Sequence, residues 1–358
     1  MVGFRALGTV LASVLVALVL VGNVGAATAT PVMTGLDNPR GLTFAPDGTL
    51  YVTEAGRGGG GPPCRTNRGI FMCYGATGAI SRLRNGVQEE WVSGLPSMAA
   101  TTGIEAEGGP NDIAFQGVGG AYVTMGFGGT AAGRALLGPE LELSGHLLKI
   151  AASGEIKTIA DPVAYEAAEN PDGGLNDSNP FGVLALPGRQ LVADAGGNSV
   201  LEVLANGTVS TLTALDRRPN PLPIGPPVVE PVATSVAQGP GGALYVSELT
   251  GVPFVTGFSR IHRIAPDGTT SIYATGLTAV VDLAFAPDGT LYALQHASCG
   301  PFFACPGSIV RVGPTLPHEV VYAGLTRPSA FTIGPVGAFY VSNHGASSGD
   351  GEVLRIDG

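Results

Sequence analysis

Lysine is almost missing from this sequence: the 358 residues contain two, Lys149 and Lys157, beside sixteen arginines, and the net charge is −10. No basic stripe is available to neutralise phosphates, which argues against nucleic acid and against an anionic membrane surface as partners. Charged residues of both signs make up only 13% of the chain. That excludes a disordered, self-repelling polymer and fits a chain that buries most of its length. Long apolar runs are absent after residue 22, so nothing there approaches the roughly 20 residues that span a bilayer. Uninterrupted helix-forming stretches are scarce as well, because 56 Gly and 28 Pro punctuate the sequence. These are the two worst residues for a helix interior, and an all-β, turn-rich fold is expected.

At the N-terminus, Arg5 precedes an apolar stretch from Ala6 to Gly22, and Ala27-Thr28-Ala29 offers a small-x-small cleavage pattern. This reads as a signal peptide over residues 1–29, with a single domain over 30–358 that is secreted or periplasmic, and monomeric. An uncleaved anchor is the alternative. The four cysteines form two close pairs, Cys64 with Cys73 and Cys299 with Cys305, each flanking a Gly/Pro-rich loop. Local pairing closes the shortest loops and suits an oxidising compartment. Thiolate metal binding is disfavoured, since neither pair has C-x-x-C spacing or a neighbouring histidine.

An internal repeat carries the fold. Gly41-Leu-Thr-Phe-Ala-Pro-Asp-Gly-Thr-Leu-Tyr-Val52 returns as Asp282-Leu-Ala-Phe-Ala-Pro-Asp-Gly-Thr-Leu-Tyr-Ala293. The position of Tyr51 recurs at Tyr122, Val192, Tyr245, Tyr292 and Tyr340, at spacings of 71, 70, 53, 47 and 48 residues. Each copy reads as an inner strand, a Pro-Asp-Gly or Gly-Gly turn and a Leu-Tyr-Val strand, followed by two further strands separated by turns such as Asn85-Gly86 and Asp267-Gly268. Four antiparallel strands per repeat imply a β-propeller, and six repeats imply six blades. The last repeat stops after its third strand. The segment Val32-Met-Thr-Gly-Leu36 has the pattern of the missing fourth, so the N-terminal strand is expected to complete the last blade and close the ring.

The repeat resembles the NHL and SMP-30/gluconolactonase-like propellers. Together with the leader, the segments Gly35-Leu-Asp-Asn-Pro-Arg-Gly-Leu42, Gly109-Pro-Asn-Asp112, Asn179-Pro-Phe-Gly182 and Ala193-Asp-Ala-Gly-Gly-Asn198 are most similar to the ScyD/ScyE family of exported propeller proteins. That resemblance implies fold and export and no assigned reaction. In the lactonase-type relatives a metal sits in the central channel, held by a Glu at the start of the first blade. The matching segment here is Arg40-Gly41-Leu42, so that ligand is absent and lactone hydrolysis is put in doubt.

Alignment of the repeats also picks out acids. Ten residues before the Tyr position stand Gly41, Asp112, Gly182, Ser235, Asp282 and Ala330; three after it stand Glu54, Met125, Ala195, Glu248, Gln295 and Asn343. Asp112, Asp282, Glu54 and Glu248, with Asn111 and Asn179, are the candidate oxygen ligands for Ca²⁺ or another hard divalent cation at the channel mouth. The competing reading is that these carboxylates accept hydrogen bonds from loop amides. Asp282 and His344 are the candidate bases. Three local matches are set aside. Gly56-Arg-Gly-Gly-Gly-Gly61 runs into Pro62-Pro63 where a dinucleotide fingerprint needs a helix, and Gly345-Ala-Ser-Ser-Gly349 lacks a strand-to-helix elbow. Asp172-Gly-Gly-Leu-Asn-Asp-Ser-Asn179 is rich in oxygen donors but lacks the spacing of an EF-hand loop, and reads as a polar connection. The expected function is binding of a small molecule, glycan or protein at the loop-rich face. A divalent-metal-dependent hydrolase of lactones or esters is the alternative. Quinone-dependent dehydrogenation ranks third, since no Lys/His/Arg set for such a cofactor is recognisable.

Overall fold

The computed structural model describes residues 27–67, 69–100, 106–118 and 120–357. Most of the expected signal segment, residues 1–26, lies outside them. Among the described residues no helix is long and apolar enough to cross a membrane. The chain is a β-propeller in which each of the first five repeats contributes an inner strand and three successive outer ones, all antiparallel.

The inner strands are Pro39–Phe44, Ala106–Phe115, Pro180–Leu186, Ala233–Gln238, Val280–Phe285 and Ala330–Ile333. The Leu-Tyr-Val segments form the strands beside them, such as Leu50–Glu54 and Leu244–Glu248, in which every residue is buried. Outermost strands such as Thr270–Leu277 are exposed except at two positions. Burial on both faces near the axis and exposure at the rim explain the low charge of the chain, because only edges and loops must meet water.

The expected six separate blades are corrected by the sheet pairing. Four blades stand as separate four-stranded sheets, while the strands of the first two repeats run together in one nine-stranded sheet. The cause is the length of Ile70–Arg84 and Val87–Ala100, 15 and 14 residues, where most strands of the fold have four to eight. Their extension carries the hairpin past the blade edge, and Met98 and Ala99 then pair with Gly108 and Ala106 of the next repeat.

The chain ends meet as expected. Thr28–Asp37 pairs antiparallel with Ser348–Asp357 and completes the sheet of the last repeat, with Met33 opposite Val353 and Leu36 opposite Gly351. Met33 and Leu36 are both buried. The ladder starts at Thr28 opposite Asp357, so cleavage after Ala29 would trim its first two pairs.

The recurrent tyrosine has a physical purpose that the spacing alone does not state. It packs against the phenylalanine of the following repeat: Tyr51 on Phe115 at 4.9 Å, Tyr245 on Phe285 at 4.9 Å and Tyr340 on Phe44 at 5.0 Å between ring centroids. A Cβ at Gly239 would come within 2.6 Å of both Tyr245 and Phe285, so the glycine before Pro240 makes room for that seat. Each ring is thus half of an interface between neighbouring repeats. Tyr245→Ala should lower unfolding stability by about 3–5 kcal/mol, whereas Tyr245→Phe, which keeps the ring, should cost less than about 1.5 kcal/mol. Urea denaturation of both variants tests this, and equal losses would contradict it.

Candidate functional site

The inner strands begin so close to the axis that side-chain size is restricted. A Cβ on Gly41 would stand 2.3 Å from Asp112 Oδ1, and one on Gly182 would stand 2.4 Å from the Thr234 carbonyl. Where an acid stands instead, it joins repeats. Asp112 accepts the Val183 amide of the next repeat at 2.8 Å and the Ile113 amide at 2.8 Å. Asp282 accepts the Phe331 amide of the next repeat at 2.9 Å, the Leu283 amide at 2.8 Å and the Ser235 hydroxyl at 2.7 Å. Both acids line the same cavity of about 10 Å³, which has room for roughly one water. Each is half-buried, open only along the bore. Burial, with the charge of Asp282 adding to it, pushes Asp112 up to about 7. Burial likewise pushes Asp282 up to about 6, against its hydrogen bonds to Phe331, Ser235 and Leu283.

The other sequence candidates go elsewhere. Glu54 accepts the Asp37 amide at 2.8 Å and the Ser81 hydroxyl at 2.5 Å, tying the closing strand to the first repeat; burial raises its pKa. Glu248 lies in a buried cluster with Arg218 at 2.8 Å, Arg260 at 2.8 Å and His262 Nε2 at 2.7 Å. Burial alone would raise its pKa, but the bonds from His262 and Arg260 and the charge of Arg218 outweigh it, and the carboxyl is held below its usual range. Asn111 donates to the Pro180 carbonyl at 2.9 Å, and Asn179 Oδ1 accepts the Phe127 amide at 3.1 Å. Asp112 and Asp282 are therefore brought together, while Glu54 and Glu248 are committed to separate structural contacts. Among the described residues no three His, Cys, Asp or Glu side chains form a group able to hold a metal.

Above the plugged bore the long loops enclose a pocket of about 220 Å³. Arg40, Asn111 and Asn179 contribute polar atoms, and Phe181, Phe254 and Phe303 line apolar walls. Phe254 and Phe303 stack at 3.9 Å, and the Arg327 guanidinium lies 5.1 Å from the Phe303 ring centre. Phe303 is carried on the loop stapled by Cys299–Cys305; the second disulfide, Cys64–Cys73, pins the Cys64–Asn67 strand. Both pairings are the local ones expected. The pocket rim also holds backbone strain: Val232, Thr250 and Phe254 have φ values of 58°, 68° and 59°. For a β-branched residue such as Val232 this is an outlier, of the kind that collects at binding sites.

His296, rather than His344, reaches this pocket. Its Nδ1 lies 2.9 Å from the Pro328 carbonyl. Burial lowers its pKa to about 4, against that hydrogen bond and helped by the charges of Arg327 and Arg40. The imidazole is thus neutral at pH 7 with the proton on Nδ1, which leaves Nε2 an acceptor. His344 instead sits half-buried beside Asp350 at 3.5 Å and Glu352 at 3.9 Å. Phe254 and Phe303 lie in long loops of one face, which is the one sign of them that the sequence carries, whereas Arg40 stands at the start of an inner strand and only folding places it in the pocket. A larger open groove of about 620 Å³, lined by Leu277, Leu316 and Val320, lies away from the axis.

No known protein family matches the sequence, and no curated protein does. Solved structures do match its shape. A protein provisionally named gluconolactonase aligns over 93% of this chain and 92% of its own at 13% identity, with a TM-score of 0.54. The PQQ-bound aldose sugar dehydrogenase of Streptomyces coelicolor aligns over 92% and 98% at 14% identity and 0.53. A luciferin-regenerating enzyme aligns over 93% and 95% at 9% identity and 0.53. At these identities the likeness concerns the propeller fold.

Asp112 and Asp282 hold their protons to higher pH in the fold than at the ordinary value of 3.8. Their contribution to stability is full below about pH 4 and is lost as pH rises through about 6 and 7. The thermal midpoint of the wild type minus that of D112N/D282N should therefore shrink between pH 5 and pH 8; a gap independent of pH would refute the assignment. Glu248→Gln leaves two guanidinium groups without a countercharge and should cost about 3 kcal/mol, read by chemical denaturation.

Proposed function

We propose that this chain is a ligand-binding propeller that takes a small amphipathic molecule in the channel-mouth pocket. The observation that carries the reading is the pairing of the Phe254–Phe303 stack with Arg40, Asn111 and neutral His296 around one cavity. Its volume of about 220 Å³ lies below the roughly 300–1,000 Å³ of sites that enclose drug-sized ligands. The occupant is therefore a single ring with a polar substituent, the ring against the phenylalanines and the substituent toward Arg40 and His296 Nε2. An aromatic acid or a monosaccharide has this form. The similarity of sequence blocks to the ScyD/ScyE proteins supports export, and the two disulfides fit an oxidising compartment.

The metal-dependent hydrolase is the second reading, favoured by the raised pKa values of Asp112 and Asp282, which suit an acid or base near neutral pH. It is weaker because their cavity has room for about one water and both carboxylates already hold backbone amides. Calorimetric titration with a panel of aromatic acids and monosaccharides separates the two. Binding without turnover, reduced at least tenfold in Phe303→Ala and in Arg40→Ala, is the expected outcome. Divalent-metal-dependent opening of a lactone that is lost in Asp282→Asn would overturn it in favour of the hydrolase.

A further inference from the structure

The Asp172–Asn179 segment, set aside from sequence as a polar connection, lies beside a buried carboxylate supplied from elsewhere. Glu166, on the helix Pro162–Glu169, is 1% exposed, and neither of its carboxylate oxygens has a hydrogen-bond partner among the described residues. An ionised carboxylate sealed from water without a donor is strongly disfavoured, so the group either keeps a proton or meets a cation. The surroundings add negative charge. A Cβ on Gly197 would meet Glu166 Oε2 at 2.6 Å and Asp194 Cγ at 3.4 Å, so the two carboxyl groups crowd the same glycine. The charges of Asp194, Asp172 and Asp177 also act on Glu166.

A second unsatisfied oxygen stands at the end of the same helix. Asn170, in left-handed conformation at the helix C-cap, has a buried Oδ1 with no partner among the described residues, while its Nδ2 donates to the Gly174 carbonyl at 3.2 Å. Asn176 Nδ2 donates to the Glu166 carbonyl at 3.1 Å and draws the loop over the helix end. The C-terminal end of an eight-residue helix also carries partial negative charge. Asp194 is already held by Ser178 at 2.5 Å, by Asn179 at 2.7 Å and by Gly196 and Gly197 at 3.1 and 3.0 Å, so it contributes charge rather than a vacant oxygen.

We propose that the Pro162–Glu169 helix, the 170–179 loop and the 194–197 turn hold one Ca²⁺ ion, with Glu166 as the charged ligand and Asn170 Oδ1 and backbone carbonyls completing an oxygen shell. Calcium accepts such mixed, irregular sets of carboxylate, amide and carbonyl oxygens, which is why no cluster of three acids is needed. The site is separate from Asp112 and Asp282. It borders the channel-mouth pocket, because Asn179 and Gly196 line that pocket and both donate to Asp194. A bound ion would therefore fix one wall of it.

Calorimetric titration of the chelator-stripped full chain with CaCl₂ tests the proposal, alongside its thermal midpoint. One ion per chain is expected, with a dissociation constant on the order of 10⁻⁴–10⁻³ M as in extracellular modules, together with a rise in midpoint. Glu166→Gln should abolish both effects. Asn170→Gly, which keeps the left-handed cap, should weaken binding at least tenfold. Absence of saturable Ca²⁺ binding by the wild type would show that a proton alone neutralises Glu166 and would overturn the proposal, as would undiminished binding by either variant.

Discussion

The close approach of the inner strands at the axis is the constraint on which the rest of this structure depends. Where they converge there is room for glycine, alanine, serine, or a carboxylate that gives its oxygens to the next strand's amide. Gly41 and Gly182 satisfy the constraint by having no side chain, and Asp112 and Asp282 satisfy it by becoming the connection between repeats. The aromatic pairs farther out, Tyr245 on Phe285 among them, repeat the same interlock with apolar surface. A bore closed to about the width of one water is the consequence, and binding capacity moves up to the loops.

That displacement changes how the acids should be read. Carboxylates at matched positions around a channel suggest a metal cage when only spacing is known. In the fold, Glu54 anchors the closing strand and Glu248 balances two arginines and a histidine, so each is explained by the neighbours it satisfies. Glu166 differs. It belongs to no repeat position, comes from a helix inserted between repeats, and among the described residues is a buried carboxylate without a donor.

The repeat, the closing N-terminal strand and both disulfides were legible because each depends on local pattern: strand period, turn chemistry and short loop closure. The fused first sheet was not legible. Nothing in the alternation of Ile70–Arg84 and Val87–Ala100 marks where a blade strand should stop, and only the pairing of Met98 and Ala99 with the next repeat shows that the hairpin continues. His344 and His296 were equally plausible as mouth residues by position. The shelter of Phe303 in the same loop and the bond from His296 to the Pro328 carbonyl, 32 residues further on, distinguish them.

The sequence by itself determined that this chain is a β-propeller stapled by two local disulfides, because scarce charge, abundant glycine and a recurring Leu-Tyr-Val strand leave few other ways to bury it. Tertiary structure alone decided which polar groups are satisfied and which are not. A carboxylate's chemistry depends on its donors, its distance from other charges and its access to water. For Asp112, Glu248 and Glu166 those are set by residues tens of positions away that only folding brings near.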